Sequence, residues 1–600
     1  MPYSIIEDRL SIIEYLKENC KKSIDKYLAS ANKVIQKDFS IFEKKYRFKN
    51  DIDWHYTFFK DISWNLDYFK DIKINPKDID VKYVWELNRH QFLAYLGFAY
   101  YYTKNEKYAK EFKSIILNWI QKNPPLFGIN WYSGLEIAIR LTSWIFSLLF
   151  FKESMEINNS IFFKTILKSM YQHAYFLRQF YIRRSYNHTV GELFGLYLFS
   201  KVFEDIKPIK KWEQKFFKIF KKQLYLQVRT DGTNIEQSLN YHKFVLEFFT
   251  LFLILTQNTV NKTEEETIEK MFNYLLYSVK PSGKYPVIGD SDDAKVLFLS
   301  DNTLNSFNEL INLGCILFER EDLKFISKEL SPISILLLGL NGSKLYNKLN
   351  ITEPKKKFAY FKDAGYFIIR NDWSDKANYL FVDYGRFGPS DAGHSHSSIT
   401  NFIFSYKGNE ILIDSGTFSY NKSLKKRNLY RSSKSHNILT INQKNQAEMI
   451  SRFRWKNKPK IKRIIDIREN EIHLTCYHNG YEGFTVKRKI SSTKELDKII
   501  IQDVVIKTNN SDVARWDNIY INFNFNPNLE LKIKEKMIFI NSDLCFKISS
   551  KNKFTISKEE SYFSPSYGSE LRNPQIVVKF KNISRKNKRF EVLTKIESLN

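Results

Sequence analysis

The chain has 600 residues, of which 43% are hydrophobic and 27% are charged. This length is too great for one ordinary core, and the composition excludes a disordered chain. Basic residues outnumber acidic ones by 94 to 66, which gives a formal charge of +28 and favours an anionic partner. Lysine is abundant along the whole chain, and neither a C₂H₂ zinc-finger pattern nor an RNP motif is present. We therefore expect no nucleic-acid partner.

The longest apolar runs, at 144–151 and 245–255, are shorter than the roughly 18 residues that a membrane span needs. A soluble protein without a membrane span is expected. The first residues lack a basic stretch followed by an apolar core, so no secretory leader is visible. We expect a cytoplasmic protein, or a periplasmic one if a leader has been removed. The four cysteines are far apart and are expected to be buried thiols.

Apolar residues recur at helical spacing from about residue 2 to about residue 345. Leu141, Trp144, Ile145 and Leu148, for example, lie on one face of a helix. Further helices are predicted at 107–122, 160–181, 190–204, 211–227, 239–257 and 264–278. Turn residues such as Asp231-Gly232 separate them. The N-terminal half is therefore predicted to be a long succession of antiparallel helical hairpins.

One polar patch of this helical half begins at Trp85 and continues to Arg140. Arg89 can clamp an acidic group of a ligand, and Trp131 can stack on a sugar face. The alternative is that arginine–glutamate pairs hold the helices together. For Glu136 and Arg140, which are four residues apart, we favour that alternative.

Two further patches lie at predicted helix starts. Asn187, in the sequence Tyr186-Asn187-His188-Thr189, can receive an anion together with free backbone N–H groups, or it can simply cap the helix. The stretch 234–242 contains Glu236, Gln237, Tyr241 and His242. Tyr241 can exchange a proton with a substrate if a neighbouring cation lowers its pKa. Packing is the alternative role of this tyrosine.

After about residue 355 the hydrophobic period changes to two, in short β-branched and aromatic segments such as 366–369 and 379–382. This half is predicted to form stacked antiparallel sheets. We therefore expect a multidomain protein of helical and β structure, with a helical domain at 1–350 and a β-sandwich domain at 351–600. The connection between them is brief and charged, so the two domains should pack closely, with a cleft at their interface.

Histidines and a carboxylate gather in the β half. His394 and His396 are two residues apart, and Asp414 and His436 follow on segments that alternate apolar and polar residues. Two histidines at this spacing on an extended segment lie on one face of a sheet, and imidazole with carboxylate suits Zn²⁺. The alternative is an accidental grouping, since no short-range zinc motif is present.

Taken together, these motifs resemble the heparinase II/III family of polysaccharide lyases, in which a toroid of helical hairpins is joined to an antiparallel β-sandwich. The resemblance covers nearly the whole chain and includes Asn187-His188 and His394-Ser395-His396. The segments that carry it are 84–90, 130–131, 135–140, 187–188, 231–242, 363–366, 393–396, 414–417 and 431–437. It implies an incomplete (α/α) toroid for the N-terminal domain.

The resemblance also implies β-elimination on a polysaccharide that contains uronic acid. Asn187, with His188, matches the residue that neutralises the uronate carboxylate; Tyr241 matches the catalytic tyrosine; and His394 completes the site. The substrate contacts that we expect are Arg89, His90, Trp131, Glu236, Gln237, His242, Tyr430 and Arg431. His396, Asp414 and His436 match the ligands of a structural zinc ion. Tyr420 or Tyr430 is an alternative to His394 as the base.

The leading functional hypothesis is thus a lyase that cleaves an anionic glycan, either glycosaminoglycan-like or a bacterial capsular or O-antigen polymer. One alternative is a glycan-binding or polysaccharide-assembly protein that keeps the scaffold without turnover. Another is a glycoside hydrolase that uses Glu236 with Asp290 or Asp292. Products that contain a double bond distinguish the lyase from both alternatives.

Overall fold

A computed structural model describes residues 9–58, 60, 62–74, 79–183, 186–256, 259–299, 306–508, 516–541, 543–581, 583 and 588–599. In the described part of the N-terminal half, the regular elements are helices and one hairpin of β1 (Asp38–Ile41) and β2 (Lys44–Arg47). Its helices are α1 (Arg9–Asn19), α2 (Lys21–Ile35), α3 (Val81–Asn88), α4 (Leu93–Thr103), α5 (Glu106–Lys122), α6 (Gly134–Leu149), α7 (Ser160–Phe180), α8 (Asn187–Val202), α9 (Lys207–Gln227), α10 (Leu239–Thr256), α11 (Lys262–Ser278), α12 (Asn308–Leu317), α13 (Glu321–Ser327) and α14 (Pro332–Lys348).

The helices alternate between an inner and an outer layer. Helices α4, α6, α8 and α10 are buried on nearly all sides and contact one another in succession. Helices α5, α7, α9 and α11 bury one apolar face and expose a polar one. This arrangement confirms the predicted toroid of helical hairpins. The predicted helix ends agree to within a few residues, and position 257 lies outside the described residues.

Small residues allow the inner helices to approach closely. A side chain at Gly195 of α8 would lie 2.9 Å from the Cβ atom of Ala138 on α6, so only glycine fits there. Helix α10 is long and apolar enough to cross a membrane, but all of its residues are buried inside the protein. Its composition is therefore that of a core helix.

In its described residues, the C-terminal half consists of antiparallel sheets, one short α-helix, α15 (Leu424–Tyr430), and a 3₁₀ turn at Ser433–Ser435. Its strands are β3 (Phe358–Phe361), β4 (Tyr366–Arg370), β5 (Tyr379–Asp383), β6 (Asn401–Tyr406), β7 (Asn409–Leu412), β8 (Leu439–Ile441), β9 (Glu448–Ser451), β10 (Arg454–Lys456), β11 (Ile461–Ile467), β12 (Glu471–Tyr481), β13 (Phe484–Thr493), β14 (Lys498–Lys507), β15 (Asn518–Asn524), β16 (Leu531–Lys534), β17 (Met537–Ile540), β18 (Leu544–Ser549), β19 (Phe554–Phe563), β20 (Leu571–Lys581) and β21 (Arg589–Ser598).

These strands form an eight-stranded sheet of order β11-β12-β13-β14-β21-β18-β17-β16, a five-stranded sheet β3-β4-β5-β6-β7 and a four-stranded sheet β19-β20-β15-β8. A two-stranded ribbon pairs β9 with β10. Side chains from the three larger sheets share one hydrophobic core, which confirms the predicted stacked sheets. All four cysteines are free and buried, as the sequence predicts.

Hydrogen bonds join the helical and β halves. Asp231 Oδ2 accepts from the backbone N–H groups of Asp363 (2.7 Å) and Ala364 (3.1 Å). The Tyr379 hydroxyl donates to the Ser278 carbonyl at 2.9 Å. These buried or half-buried bonds connect the turn before α10 and the end of α11 to the five-stranded sheet. The halves therefore pack closely, and loops from both meet above the N-terminal ends of α8 and α10.

Candidate active site

Tyr241 and His394 meet at the interface of the two halves. Tyr241 lies in the first turn of α10, and His394 lies in the connection between β5 and β6. Their rings stack with centroids 3.6 Å apart at an interplanar angle of 19°. The Tyr241 hydroxyl donates to Asp292 Oδ2 (3.1 Å) and lies 3.0 Å from the Tyr420 hydroxyl. Burial and the charge of Asp292 raise the pKa of Tyr241 well above 10, so the phenol is protonated.

Asn187 begins α8 and is held by Glu236 from the turn before α10. The amide Nδ2 of Asn187 donates to both carboxylate oxygens of Glu236, at 3.2 and 2.9 Å. Glu236 Oε2 also lies 3.7 Å from Nε2 of His394. Asn187 Oδ1 is buried and has no hydrogen-bond partner among the residues that the structure describes. Glu236 therefore joins the amide and the imidazole in one cluster, although Asn187 and His394 come from different halves.

Charges around this cluster set the protonation of its neighbours. Burial lowers the pKa of His188 to about 4, so this ring is neutral at neutral pH. Lys82 forms a 2.8 Å salt bridge with Asp292. Burial opposes ionisation of Asp292, but Lys82 and Arg89 lower its pKa to about 2. Asp292 is therefore an anion that accepts the hydrogen bond of Tyr241.

Asp290 fixes the orientation of His394. This fully buried carboxylate forms an ion pair with Arg427 and lies 3.1 Å from Nδ1 of His394 and 3.0 Å from Nε2 of His396. Burial opposes ionisation of Asp290, but Arg427 and the two imidazoles hold its pKa well below its usual range. A carboxylate only accepts hydrogen bonds, so Nδ1 of neutral His394 carries the hydrogen. Nε2 of His394 then has a free lone pair that faces Glu236.

His396, Asp414 and His436 form a group that can hold a metal ion. One possible ligand atom from each lies within 4.8 Å of the others, and all three side chains are buried. His396 uses Nε2 toward Asp290, and His436 uses Nδ1 toward Asp414 Oδ2 at 3.0 Å. The remaining ring nitrogens, Nδ1 of His396 and Nε2 of His436, are buried without a partner among the described residues. Two free imidazole lone pairs and a carboxylate fit a metal ion.

Three predicted substrate contacts lie instead in the toroid core. Arg89 is 1% exposed and forms salt bridges with Glu136 (2.6 Å) and Glu86 (2.7 Å). His90 accepts a 2.8 Å hydrogen bond from Trp144 Nε1 and is fully buried. Trp131 is 1% exposed, and its indole N–H donates to the Asn123 carbonyl. The structure corrects these predictions, because none of the three side chains offers a free surface to a sugar.

The pair expected between Glu136 and Arg140 is corrected as well. Arg140 instead donates to His173 Nε2 at 3.0 Å and to the carbonyl groups of Asn88 and Asn130. Glu136 binds Arg89. The prediction that arginine and glutamate hold these helices together is right in kind, but the glutamate pairs across helices rather than along one.

Three other predicted contacts support the loops around the site. His242 accepts from the Asn234 backbone N–H (3.2 Å) and lies 3.0 Å from the Met271 carbonyl. Tyr430 donates to Glu570 at 2.9 Å and is 1% exposed. Arg431 is fully buried and donates to two backbone carbonyls of the ribbon. The structure therefore corrects their predicted role as substrate contacts to one of support.

Glu236 lies in the cluster, as described, and Gln237 lies at its edge. The Gln237 side chain donates to the Ala364 carbonyl at 3.2 Å, and its own oxygen is buried without a partner among the described residues. Sequence reasoning missed Lys82 and Arg427, as well as the bridging role of Asp290. The run Asp290-Ser291-Asp292-Asp293, three carboxylates in a non-helical segment, was the available signal.

Two family models match the chain. The model described as "Heparinase II/III N-terminus" matches residues 7–312, and the model described as "Heparinase II/III-like, C-terminal" matches residues 353–593. The first alone spans half of the chain. The protein therefore belongs to the heparinase II/III-like family.

Individual relatives are distant. A heparin-sulfate lyase of Bacteroides thetaiotaomicron is 22% identical over 441 residues, which cover 69% of this chain and 58% of the relative. A heparin-sulfate lyase of Pedobacter heparinus is 22% identical over 519 residues, which cover 84% and 72%. The crystal structure of heparinase III covers 96% of this chain and 85% of its own, with a TM-score of 0.75 and 19% identity. The chain thus spans less than two thirds of the length of the Bacteroides relative, and the structural likeness shows the fold.

Proposed function

We propose that the protein is a polysaccharide lyase that cleaves a uronate-containing anionic glycan by β-elimination. The observation that carries this proposal is the convergence of Asn187, Tyr241 and His394 around Glu236 at the interface of the two halves. An amide, a protonated phenol and an imidazole with a free lone pair are the groups that an elimination next to a carboxylate needs. The names of the relatives, heparin-sulfate lyases, support the same reaction class.

In the proposed reaction, Nε2 of His394 removes the C5 proton of the uronate. The electron pair of that C–H bond forms the C4–C5 double bond, and the C4–O bond breaks. Tyr241 donates its hydroxyl proton to the departing glycosidic oxygen. Asn187 and neutral His188 stabilise the negative charge that develops on the uronate carboxylate. Loss of one such preorganised donor costs on the order of 3 kcal/mol.

The hydrogen bonds of the resting site support this division of roles. Tyr241 is the proton donor because burial and Asp292 keep its pKa high. His394 is the base because Asp290 occupies its other nitrogen. Burial opposes protonation of His394, but Asp290 and Glu236 raise its pKa above 6.5. Since the base must be neutral, kcat/KM is expected to rise with pH through a pKa above 6.5.

The reacting groups are almost enclosed in this conformation. Asn187 is 1% exposed and Tyr241 is 4% exposed. At the rim, the Tyr186 hydroxyl from the helical half lies 3.0 Å from the Ser390 hydroxyl of the β half. We propose that this rim contact opens to admit the polymer.

For the substrate, we propose a glycosaminoglycan-like polymer, in which uronate alternates with an amino sugar. The positive charge of the chain supports an anionic polymer, and the relatives' names support this class over a capsular or O-antigen polymer.

The test of this proposal is to incubate the protein with heparan sulfate, hyaluronan, chondroitin sulfate, alginate and a capsular uronate polymer. The masses of the products are then measured by mass spectrometry. We expect products that contain a double bond from at least one glycosaminoglycan. Products that have gained a water molecule would identify a hydrolase instead, and binding without any product would identify a non-catalytic glycan-binding protein.

For the metal group, we propose a structural zinc ion held by His396, Asp414 and His436. Zinc would tie the segment that bears His394 to the neighbouring strands, since His396 is two residues away and shares Asp290 with it. Elemental analysis is expected to find about one zinc per chain. His436→Ala should lose the metal and lower the melting temperature, and zinc retained at full occupancy in that variant would contradict the ligand set.

A further inference from the structure

The outer helices α7 and α9 carry a dense positive charge. Helix α7 contains two lysines and one arginine but no acidic residue, and α9 contains seven lysines with Glu213 as its one acidic residue. The outer helix α11, by contrast, has four glutamates and two lysines. Helices α7 and α9 together therefore carry a net charge of +9 out of the chain's +28, whereas α11 carries −2.

Five exposed side chains of α7 form one stripe. Lys164, Lys168, Tyr171, Tyr175 and Arg178 are spaced at i, i+4, i+7, i+11 and i+14, which places them on a single face of the helix. At a rise of 1.5 Å per residue, the stripe is roughly 21 Å long. The basic residues lie at its two ends, with the tyrosines between them.

The aromatic residues of this stripe continue onto α9. The Tyr171 ring stacks on Tyr175, with centroids 6.1 Å apart, and on Trp212 of α9, with centroids 6.0 Å apart. The Arg178 guanidinium lies 4.6 Å from the Trp212 ring centroid. Lys215, exposed on α9, follows one turn after Trp212. We name Lys164, Lys168, Tyr171, Tyr175, Arg178, Trp212 and Lys215 the α7–α9 shelf.

Packing between the helices leaves much of this surface in water. Tyr171 and Tyr175 remain 44% and 45% exposed, whereas Phe216 of α9, which packs inward, is 1% exposed. Stacked rings that keep nearly half of their surface in water present apolar faces with polar edges. Such faces suit the C–H faces of sugar rings, and the flanking lysine and arginine side chains suit carboxylate or sulfate groups.

We propose that the α7–α9 shelf is a second, non-catalytic binding surface for an anionic polysaccharide. Tyr171 and Tyr175, supported by Trp212, carry the sugar rings, and the basic side chains pair with the acidic groups. The identification of the polymer rests on the proposed function. Helix α7 ends at Phe180, and seven residues further along the chain Asn187 begins α8. That connection spans at most roughly 25 Å, so a long polymer bound to the shelf can also reach the candidate active site.

The test measures binding without cleavage, in a Tyr241→Phe background. The shelf variant is Lys164→Glu/Lys168→Glu/Lys215→Glu. The matched control is Lys534→Glu/Lys551→Glu/Lys553→Glu, which changes the net charge equally at exposed positions of the β half. Long heparan sulfate and hyaluronan chains are the probes, with neutral dextran as the blank. We expect the shelf variant to bind at least one of the two polymers at least tenfold more weakly than its parent, and the control to change by less than threefold.

A second variant separates stacking from charge. Tyr175→Ala keeps every lysine and should weaken binding of the long chain severalfold at high salt, where charge contributes least. In the Tyr241 wild-type background, the shelf variant should raise KM for long chains and leave kcat on a short oligosaccharide unchanged. Because the binding assay needs no turnover, it tests binding at the shelf even if the lyase proposal fails.

Three results would overturn the proposal. The first is equal weakening in the shelf and control variants, which would indicate diffuse charge attraction. The second is unchanged binding in the shelf variant, or no binding of either polymer by its parent. The third is that the parent binds vesicles of anionic phospholipid but neither polysaccharide, and that the shelf variant no longer binds the vesicles.

Discussion

Two buried polar clusters in this protein contain similar kinds of side chain but differ in how far their polar groups find hydrogen-bond partners. In the toroid core, Arg89 pairs with Glu136, and Arg140 donates to His173 and to the Asn88 carbonyl, all within the helical half. At the interface, Glu236 joins Asn187 and His394, and Asn187 Oδ1 is buried without a partner among the described residues. The charged groups of the first cluster are therefore all paired, whereas the second cluster contains an unpaired amide oxygen beside its ionisable groups.

This difference helps to distinguish a structural cluster from a binding or catalytic one. A buried polar group normally finds a hydrogen-bond partner, because an unsatisfied one costs about 1 to 3 kcal/mol. The interface cluster leaves Asn187 Oδ1 without one and keeps a lone pair on His394 Nε2. A cluster that tolerates such a cost is suited to bind something else. We therefore assign chemistry to the interface cluster and stability to the toroid cluster.

The largest effect that we expect is the loss of turnover in Tyr241→Phe. Removing the hydroxyl removes the proton donor, and kcat should fall about 10³-fold, which corresponds to about 4 kcal/mol. Asp292 keeps its salt bridge with Lys82, so the melting temperature should change little. Steady-state kinetics and thermal unfolding measure the two quantities. Turnover within tenfold of the parent enzyme would show that Tyr241 does not carry the proton.

The reverse pattern is expected for Arg89→Ala, in the toroid cluster. Glu136 would stay buried without its partner, and the free energy of unfolding should fall by about 3 kcal/mol. Denaturant unfolding measures this loss. The double variant Arg89→Met/Glu136→Met removes both charges and should recover most of it. If the double variant is as unstable as Arg89→Ala, the ion pair is not the source of the stability.

A smaller, pH-dependent effect is expected at His242. Burial lowers the pKa of His242 to about 4 in the folded protein, against about 6.5 when unfolded. The unfolded chain therefore binds this proton more tightly, so stability is complete above pH 6.5 and falls as the pH drops. Between pH 6.5 and pH 5 the loss from this residue is about 2 kcal/mol. His242→Gln should make stability less dependent on pH over that range, and an unchanged slope would contradict the shift.

The fold was predictable because the spacing of hydrophobic residues identifies each helix or strand from its own local sequence. The change of period near residue 355 marks the passage from the toroid to the sheets, whose first strand, β3, begins at Phe358. Polar residues at a helix start made Asn187 and Tyr241 stand out from an apolar pattern, but only the resemblance to the family assigned them catalytic roles. Trp131 and His90 were placed wrongly, because a sequence does not show whether an aromatic side chain among polar residues faces a cleft or the core.

The support of His394 was not predictable from local sequence. Asp290 and Arg427 come from distant parts of the chain and meet His394 only after the two halves have packed. Their roles depend on hydrogen-bond direction and on burial, which residue spacing does not encode. The resemblance to the family implied His396, Asp414 and His436 as the metal ligands, but their unpaired ring nitrogens appear only in three dimensions.

The most direct test of the interface cluster as the site of elimination uses a uronate polymer deuterated at C5. If His394 removes the C5 proton, each cleaved product loses its deuterium from the new unsaturated end and contains a double bond. The His394→Gln variant should give no such product, while remaining folded. Cleavage that retains the C5 deuterium and adds water would contradict the account.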